Sequence, residues 1–290
     1  MTSDYCAVVA TFRRPESLRV TLASLMAQRD RPNFVVVADN DPDRSGEVVI
    51  ADENWPVPVI TVPMPRNLGP AGGWGAAFRR AREREDRGEW MLVLDDDDPL
   101  QHPEVVGRLL AAGVGGNVAA LGLRGAIVTR PLGLLRRVSG QAQPADYLSG
   151  GGLPLYRWAA LDAVGGFDDA LFFGFEDLDL GLRLRRAGWL LLVIEVDVEQ
   201  TVADTNPRRT PWREYYKARA LVTITRRHLG PMVTALTAIR LGLGGARLLV
   251  LGHGPELARA RVEGVADGLR GRLGVRRYDP EGNPPKNSSH

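Results

Sequence analysis

Up to about residue 195, short apolar runs alternate with stripes at helical spacing. Ala7–Ala10, Phe34–Ala38 and Trp90–Leu94 are compact runs that suit buried strands, and Val57–Val62 alternates as a strand with one covered face does. Pro15 opens a helix, where its fixed φ suits the first turn, and Leu18, Leu22, Leu25 and Met26 form the buried stripe. A second helix follows the glycine-rich segment 66–73 and runs past Phe78 to about Arg87. A third spans Pro103–Ala112 with Val105, Val106, Leu109 and Leu110 inward. Repeated alternation of strand and helix predicts an α/β fold, a mostly parallel sheet with helices on both faces.

Further along, Val118–Leu123 and Gly125–Thr129 read as strands, Arg130–Gln143 as a loop or hairpin, and Ser149–Gly152 as a turn. Pro154–Val164 reads as a helix stopped by Gly165 and Gly166. Another helix begins at Glu176–Asp179 and ends near Ala187, with Gly188 as its C-terminal glycine. Leu190–Ile194 is a strand, Pro207–Pro211 a polar loop, and Trp212 to about His228 a helix carrying Tyr215, Tyr216, Lys217 and Arg219. Residues 226–277 mix apolar runs with ten arginines against Glu256, Glu263 and Asp267, which predicts a basic, partly apolar helical extension. Residues 278–290 are rich in Pro, Asn and Ser, a disordered composition. Boundaries are therefore expected at 225 and 277.

Composition narrows the function classes. The net charge of the 290 residues is only +2, so nothing in bulk electrostatics points to nucleic acid. The single cysteine, Cys6, excludes an internal disulfide and a cysteine zinc cluster. Residues 1–6 lack a basic segment followed by an apolar core, and the longest uncharged apolar stretch, Leu229–Ile239, is too short to span a bilayer. The expectation is a cytoplasmic protein. The apolar and basic segment after Arg226 would give it a reversible contact with the inner face of a membrane.

Candidate chemistry gathers at strand ends. Asp95, Asp96, Asp97 and Asp98 follow the apolar run 90–94 directly, and Pro99 blocks an immediate helix. Carboxylates this close repel, a cost that a bound Mg²⁺ or Mn²⁺ with substrate phosphate oxygens removes. The plain alternative is a solvated acidic turn. Glu176–Asp179 forms a second acidic station, which a helix N-terminus alone would explain. The aromatic run Phe172–Phe175 ahead of it favours a partly desolvated base, Asp177. The glycines of Asn67–Gly73, including Gly72 and Gly73, would let backbone N–H groups approach a phosphate, or else serve packing. Asp39 reads as a ribose or base acceptor, or as an Asx turn. Thr11 and Arg13 lie after the first strand, as nucleotide contacts or plain loop residues.

Taken in order, these signals resemble the family-two inverting glycosyltransferases with the type-A, Rossmann-like nucleotide-sugar-binding fold. The resemblance rests on residues 8–14, Asp39-Asn40, the Asn67–Gly73 loop, Trp90 with Asp95–Asp97, Gly165–Phe167, Phe173–Asp179 and Trp212–Arg219. Bacterial galactofuranosyl- and rhamnosyltransferases are the most similar in flavour. It implies inverting, metal-dependent transfer of a sugar from a UDP- or dTDP-linked donor to a glycan, lipid-linked or small-molecule acceptor, with a homo-oligomer as one form. Thr11, Arg13, Asp39, Asn67, Gly72, Gly73, Asp95 and Asp96 then fall on the donor side. Asp95 and Asp97 fall on an Asp-x-Asp motif for the diphosphate and a divalent cation, Asp177 on the catalytic base, and Trp74, Gly151, Glu176 and Asp179 on the acceptor side. Two departures stand out. Ala220 replaces the family's Asn after Arg219, and the segment 198–204 lacks a metal-binding His, so the expectation is that Gln200 or Glu199 stands in or that the metal leans more on substrate oxygens. Those departures motivate an alternative, a nucleotide-sugar-binding or partner subunit impaired in catalysis.

Overall fold

A computed structural model of the chain describes residues 4–112, 114–198, 200, 209–276 and 278. By compactness the chain divides into two units. Residues 1–127, 136–168 and 177–204 form the first; residues 128–135, 169–176 and 205–290 form the second, which therefore takes in the Trp212–His228 helix together with the chain beyond residue 225.

The first unit opens with β1 (Tyr5–Thr11), α1 (Pro15–Met26), β2 (Val35–Asp39), α2 (Ser45–Ala51), β3 (Val59–Pro63), α3 (Gly69–Arg82) and β4 (Trp90–Asp95). It continues through α4 (Val105–Leu110), β5 (Val118–Gly122), β6 (Gly125–Thr129), β7 (Leu134–Val138), β8 (Gln143–Ala145), β9 (Tyr147–Leu148), a 3₁₀ turn (Gly150–Gly152), β10 (Leu155–Arg157), α5 (Trp158–Val164), α6 (Glu176–Arg186) and β11 (Leu190–Val193). Eight strands make one sheet in the order β3-β2-β1-β4-β10-β5-β11-β8, and β7-β6-β9 make a small second sheet. β1 pairs in parallel with β2 and β4, β2 with β3, and β5 with β11. Both faces of the large sheet are covered around β1, β2 and β4, so these strands read as unbroken apolar runs, while the edge strand β3 is only partly buried and alternates. One face takes Trp74 and Phe78 of α3, Leu161 of α5 and Leu180 and Leu184 of α6. The other takes Leu18, Leu22 and Leu25 of α1 with Val105, Val106 and Leu109 of α4.

Two elements differ from the sequence reading. Pro154–Val164 is not one helix: Leu155–Arg157 forms β10, antiparallel to both β4 and β5, before α5 begins. Leu155 and Tyr156 are buried there, and a short apolar run bordering a helix has no periodicity to separate the two states. The unpatterned segment after Asp39 contains α2, which buries only Gly46 and Val49 and so carries almost no stripe, whereas the Arg130–Gln143 stretch, read as a loop or hairpin, supplies β7 beside β6.

The second unit is built on α7 (Pro211–His228), α8 (Pro231–Val250) and α9 (Pro255–Leu269). Small residues let α9 approach α7 at backbone range: a Cβ on Gly264 would lie 2.2 Å from the Tyr215 carbonyl oxygen. Arg219 is fully buried, its guanidinium donating to the carbonyls of Leu171 at 2.8 Å and Gly274 at 2.6 Å while lying over the Tyr215 and Tyr216 rings. Tyr215 donates to Asp267 at 2.8 Å. The Tyr-Tyr-x-x-Arg motif is thus the internal fastening of this unit. Tyr278 is held by the Tyr215 ring and Glu263, and the rest of the expected disordered tail lies outside the described residues. By length and composition α8 is apolar enough to cross a membrane, because the helix runs on through Arg240 and Arg247, where a count of uncharged residues stops at Ile239. Less than a third of it is buried.

Candidate active site

The β1–β4 register sets Asp95 beside Ala10, so β1 and β4 deliver their following loops to the same sheet end. The four acids there divide their work. Asp96 turns inward, 5% exposed, where one carboxylate oxygen accepts from the Thr11 hydroxyl at 2.8 Å and the Phe12 N–H at 3.3 Å, and the other faces Arg14 at 3.2 Å. Burial raises its pKa, and these donors offset only part of that. Thr11 and Asp96, both expected on the donor, are therefore committed to each other, because a buried carboxylate must find donors within the fold. Asp97 stays exposed and ion-paired to Arg14 at 2.6 Å. Asp98 is pushed up to about 6 by burial and by repulsion from Asp97 and Asp96, and its Oδ2 is buried with no hydrogen-bond partner among the described residues. Among those residues no group of three His, Cys, Asp or Glu side chains converges as a metal cluster.

The end of β2 is built on backbone donors. Asp39 is fully buried; its carboxylate accepts from the N–H groups of Asp41 at 3.0 Å, Gly46 at 2.8 Å and Glu47 at 3.2 Å, and so caps α2. Arg13 takes a left-handed φ of 53° and pairs with Asp41 at 3.2 Å. Asn67 accepts from Gly69 N–H at 2.8 Å in an Asx turn, and Asn40 accepts from Leu68 N–H at 3.1 Å. A Cβ on Gly73 would lie 2.7 Å from the Asn40 amide nitrogen and 2.9 Å from the Ala10 Cβ; one on Gly72 would strike the Leu68 side chain at 2.5 Å. These glycines sit inside α3, where they allow close packing of its first turns.

Asp95 and Asp177 flank Gly150. A Cβ on that glycine would lie 3.2 Å from Asp95 Oδ2 and 3.3 Å from the Trp74 ring. The Gly150 N–H donates to the Asp177 carboxyl, which also accepts from Leu178 N–H at 2.8 Å. Trp74 itself is 3% exposed and donates to the Leu94 carbonyl at 3.1 Å, so it is the floor under the 3₁₀ turn that holds Gly151. Burial pushes Asp177 up to about 7, against the pull of its backbone donors. Tyr147 is pushed up to about 12 by burial and by the adjacent Asp177 charge, with Arg124 and Arg137 opposing. Gly181 explains how α6 reaches this place: one turn beyond Asp177, its absent Cβ would lie 2.2 Å from the Asp146 carbonyl oxygen and 2.9 Å from Tyr147 Cα.

The remaining assignments fall differently. Asp179 is 1% exposed and accepts from Arg183 at 2.8 Å, while Arg183 also donates to the Val164 carbonyl at 2.9 Å, so this acid takes part in the packing of α6. Glu176 is buried, with its charge felt by Lys217. Gln200 is brought beside the acid turn, where its side chain accepts from Gln101 N–H at 2.8 Å and donates to the Pro99 carbonyl at 3.4 Å; Glu199 lies outside the described residues. Sequence reasoning missed Arg14, Tyr147 and Gly150. The only signal for Gly181 was a glycine interrupting the leucine stripe four residues after Asp177.

Comparison with known proteins places the chain in a family. Residues 6–127 match the model of glycosyl transferase family 2. The chain is 30% identical over 206 residues to galactofuranosyltransferase GlfT1 of Mycolicibacterium smegmatis, covering 64% of this chain and 67% of that protein. It is 29% identical over 238 residues to the N-acetylglucosaminyl-diphospho-decaprenol L-rhamnosyltransferase of Mycobacterium tuberculosis, covering 67% of this chain and 74% of that protein. The chain thus spans about two thirds to three quarters of the length of these relatives. Among solved structures, a mannosyltransferase of Pyrobaculum calidifontis in complex with GDP-Man and Mn²⁺ superimposes with a TM-score of 0.58 at 15% identity, over 93% of this chain and 88% of that one, and so shares the fold. With the sheet, the acid-bearing strand end and these relatives in agreement, the chain belongs to glycosyltransferase family 2.

Proposed function

We propose that the protein transfers a sugar, of galactofuranose or rhamnose type, from a UDP- or dTDP-linked donor to an acceptor hydroxyl with inversion. The observation that carries this reading is the pairing of Asp95 and Asp177 across Gly150, with Asp177 pushed up to about 7. A carboxylate of that basicity is matched to proton abstraction at neutral pH. Asp177 takes the proton from the acceptor hydroxyl while that oxygen bonds to the anomeric carbon. The bond from this carbon to the diphosphate breaks on the opposite face, and the nucleoside diphosphate leaves. The Gly150 and Leu178 N–H groups aim the carboxylate, and Tyr147 closes one side of it.

A divalent cation fits the acid turn. Asp97 is exposed, Asp95 lies on the Gly150 side, and the orphaned Asp98 oxygen leaves the turn short of positive charge. Mg²⁺ and Mn²⁺ favour such oxygen donors and complete their coordination with substrate phosphates, so two protein carboxylates suffice. Asp97 and Asp95 would hold the ion, with Gln200 steadying the turn from Pro99 and Gln101, and the ion would supply charge stabilisation for the departing diphosphate. Arg14, paired with Asp97 at 2.6 Å, would have to yield that carboxylate to the ion.

The names of the relatives support galactofuranose or rhamnose as the donor sugar and a diphosphate-linked lipid as acceptor. The exposed apolar residues of α8 support a peripheral contact with a membrane. Incubating the full chain with UDP-galactofuranose or dTDP-rhamnose, with Mn²⁺ or with EDTA, tests the reading through release of the nucleoside diphosphate. Release from one donor, abolished by EDTA, is expected. Binding of either donor without any turnover, whatever acceptor is supplied, would favour a binding or partner subunit. No binding of either would remove both readings.

A further inference from the structure

The second unit carries a basic cavity that the transfer chemistry does not use. Its volume is about 400 Å³, within the usual range for a small-molecule site. Among the described residues its walls carry five cations, Arg209, Arg213, Lys217, Arg240 and Arg261, against one carboxylate, Glu214. That carboxylate is already engaged: it accepts from Arg261 Nε at 2.8 Å and lies 3.6 Å from Arg209. Arg213 lies over the Trp212 ring at 4.7 Å. Arg240 Nε is buried and has no hydrogen-bond partner among the described residues.

Such an excess is costly to assemble. Burial and the neighbouring Arg261 hold the Arg240 pKa below its ordinary value, and burial and Arg213 do the same to Lys217. A ligand carboxylate would match only one of the charges. A phosphate brings about −1.5 to −2 charges with acceptor oxygens on several sides, which suits guanidinium forks arriving from different helices.

A neighbouring cavity of about 560 Å³ shares Arg209, Arg240, Leu241 and Arg261 and extends the groove to Arg247 and His253. There the lining turns apolar through Leu243, 66% exposed, and Leu251, 56% exposed. We propose that this groove between α7, α8 and α9 is a binding site for a phosphate- or diphosphate-bearing ligand, with the anion on Arg240 and Lys217. The apolar end offers room for an isoprenoid chain, and the same anion chemistry would hold a soluble diphosphate.

Calorimetry on the full chain tests this without any sugar transfer, so its failure is distinct from failure of the transferase reading. The probes are inorganic pyrophosphate and farnesyl diphosphate, in EDTA, which removes any metal-borne diphosphate binding at the acid turn. Wild type should bind at least one probe. Lys217→Gln and Arg240→Gln should each weaken it roughly tenfold, and Asp97→Asn should leave it unchanged. Lys217 reaches the surface although its ammonium is partly desolvated in the cavity, so its variant keeps the test open if Arg240→Gln fails to fold. Farnesyl diphosphate binding at least tenfold tighter than pyrophosphate would identify a lipid-linked ligand, and equal affinities a soluble one. Absence of binding for both probes, or binding indifferent to both substitutions in folded protein, would overturn the proposal.

Discussion

The two four-residue acidic stations, Asp95–Asp98 and Glu176–Asp179, look alike as sequence and are used alike in the fold. Each commits some acids to holding the chain together and leaves others for the chemistry proposed above. Asp96 ties the loop after β1 to the end of β4 through Thr11 and Phe12, and Asp179 ties α6 to the Val164 carbonyl through Arg183. Asp97 stays exposed and Asp177 sits beside Gly150. The stations differ in how they treat charge. The first pairs Asp97 with Arg14 at the surface while burial and mutual repulsion lift Asp98 to about 6, whereas in the second desolvation alone lifts Asp177 to about 7. A binding acid needs to remain ionised, and a base needs to be reluctant to.

Substitutions can break that comparison, and the largest effect belongs to the desolvated acid. Asp177→Asn is nearly isosteric but cannot take a proton, so transfer should fall roughly 10²- to 10⁴-fold with donor affinity kept. Near-normal turnover would remove it from the base role. Asp97→Asn should weaken cation-dependent donor binding, on the order of tenfold or more, while the melting temperature holds, because its carboxylate supports only the surface pair with Arg14. Titrating donor with and without Mn²⁺ checks this, and unchanged affinity would return the turn to a plain acidic surface.

Smaller effects should appear in stability. Gly181→Ala places a methyl against the Asp146 carbonyl, an overpacking cost of about 1–3 kcal/mol, and shifts α6 enough to lower turnover as well. Denaturant unfolding alongside kinetics would separate the two, and an unperturbed variant would show that α6 is not held at this distance. Thr11→Val removes the hydroxyl that serves Asp96 and should cost about 1.5 kcal/mol of stability with donor affinity nearly unchanged. A large loss of donor affinity without loss of stability would restore Thr11 as a ligand contact.

Much of the fold was legible because strands covered on both faces and leucine-striped helices leave strong patterns. What stayed hidden depended on partners distant in sequence. Nothing local separates Asp96 from Asp97, since only the approach of Thr11, 85 positions away, turns one inward. Leu155 and Tyr156 join the sheet because β4 and β5 leave a gap between them, not because of their own spacing. Gly73 carries the same letter as a phosphate-loop glycine, yet its role is set by Asn40 and Ala10 lying under it. The Tyr-Tyr-x-x-Arg motif likewise declares nothing until Leu171 and Gly274 are seen to receive its guanidinium.

The central claim is that burial tunes Asp177 as the base, and pH separates its two consequences. Ionised Asp177 is needed for transfer, so the rate should rise with pH through about 7. Stability runs the other way. The folded chain keeps this proton where the unfolded chain has lost it, so the group's contribution is complete below about 3.8 and is lost as pH climbs through about 7. The most direct test is the pH profile of single-turnover transfer in the wild type and in Asp177→Asn. The account predicts a rising limb centred near 7 in the wild type and its disappearance, with the residual rate flat, in the variant. A wild-type limb centred near 4, or a variant that keeps the limb, would contradict it.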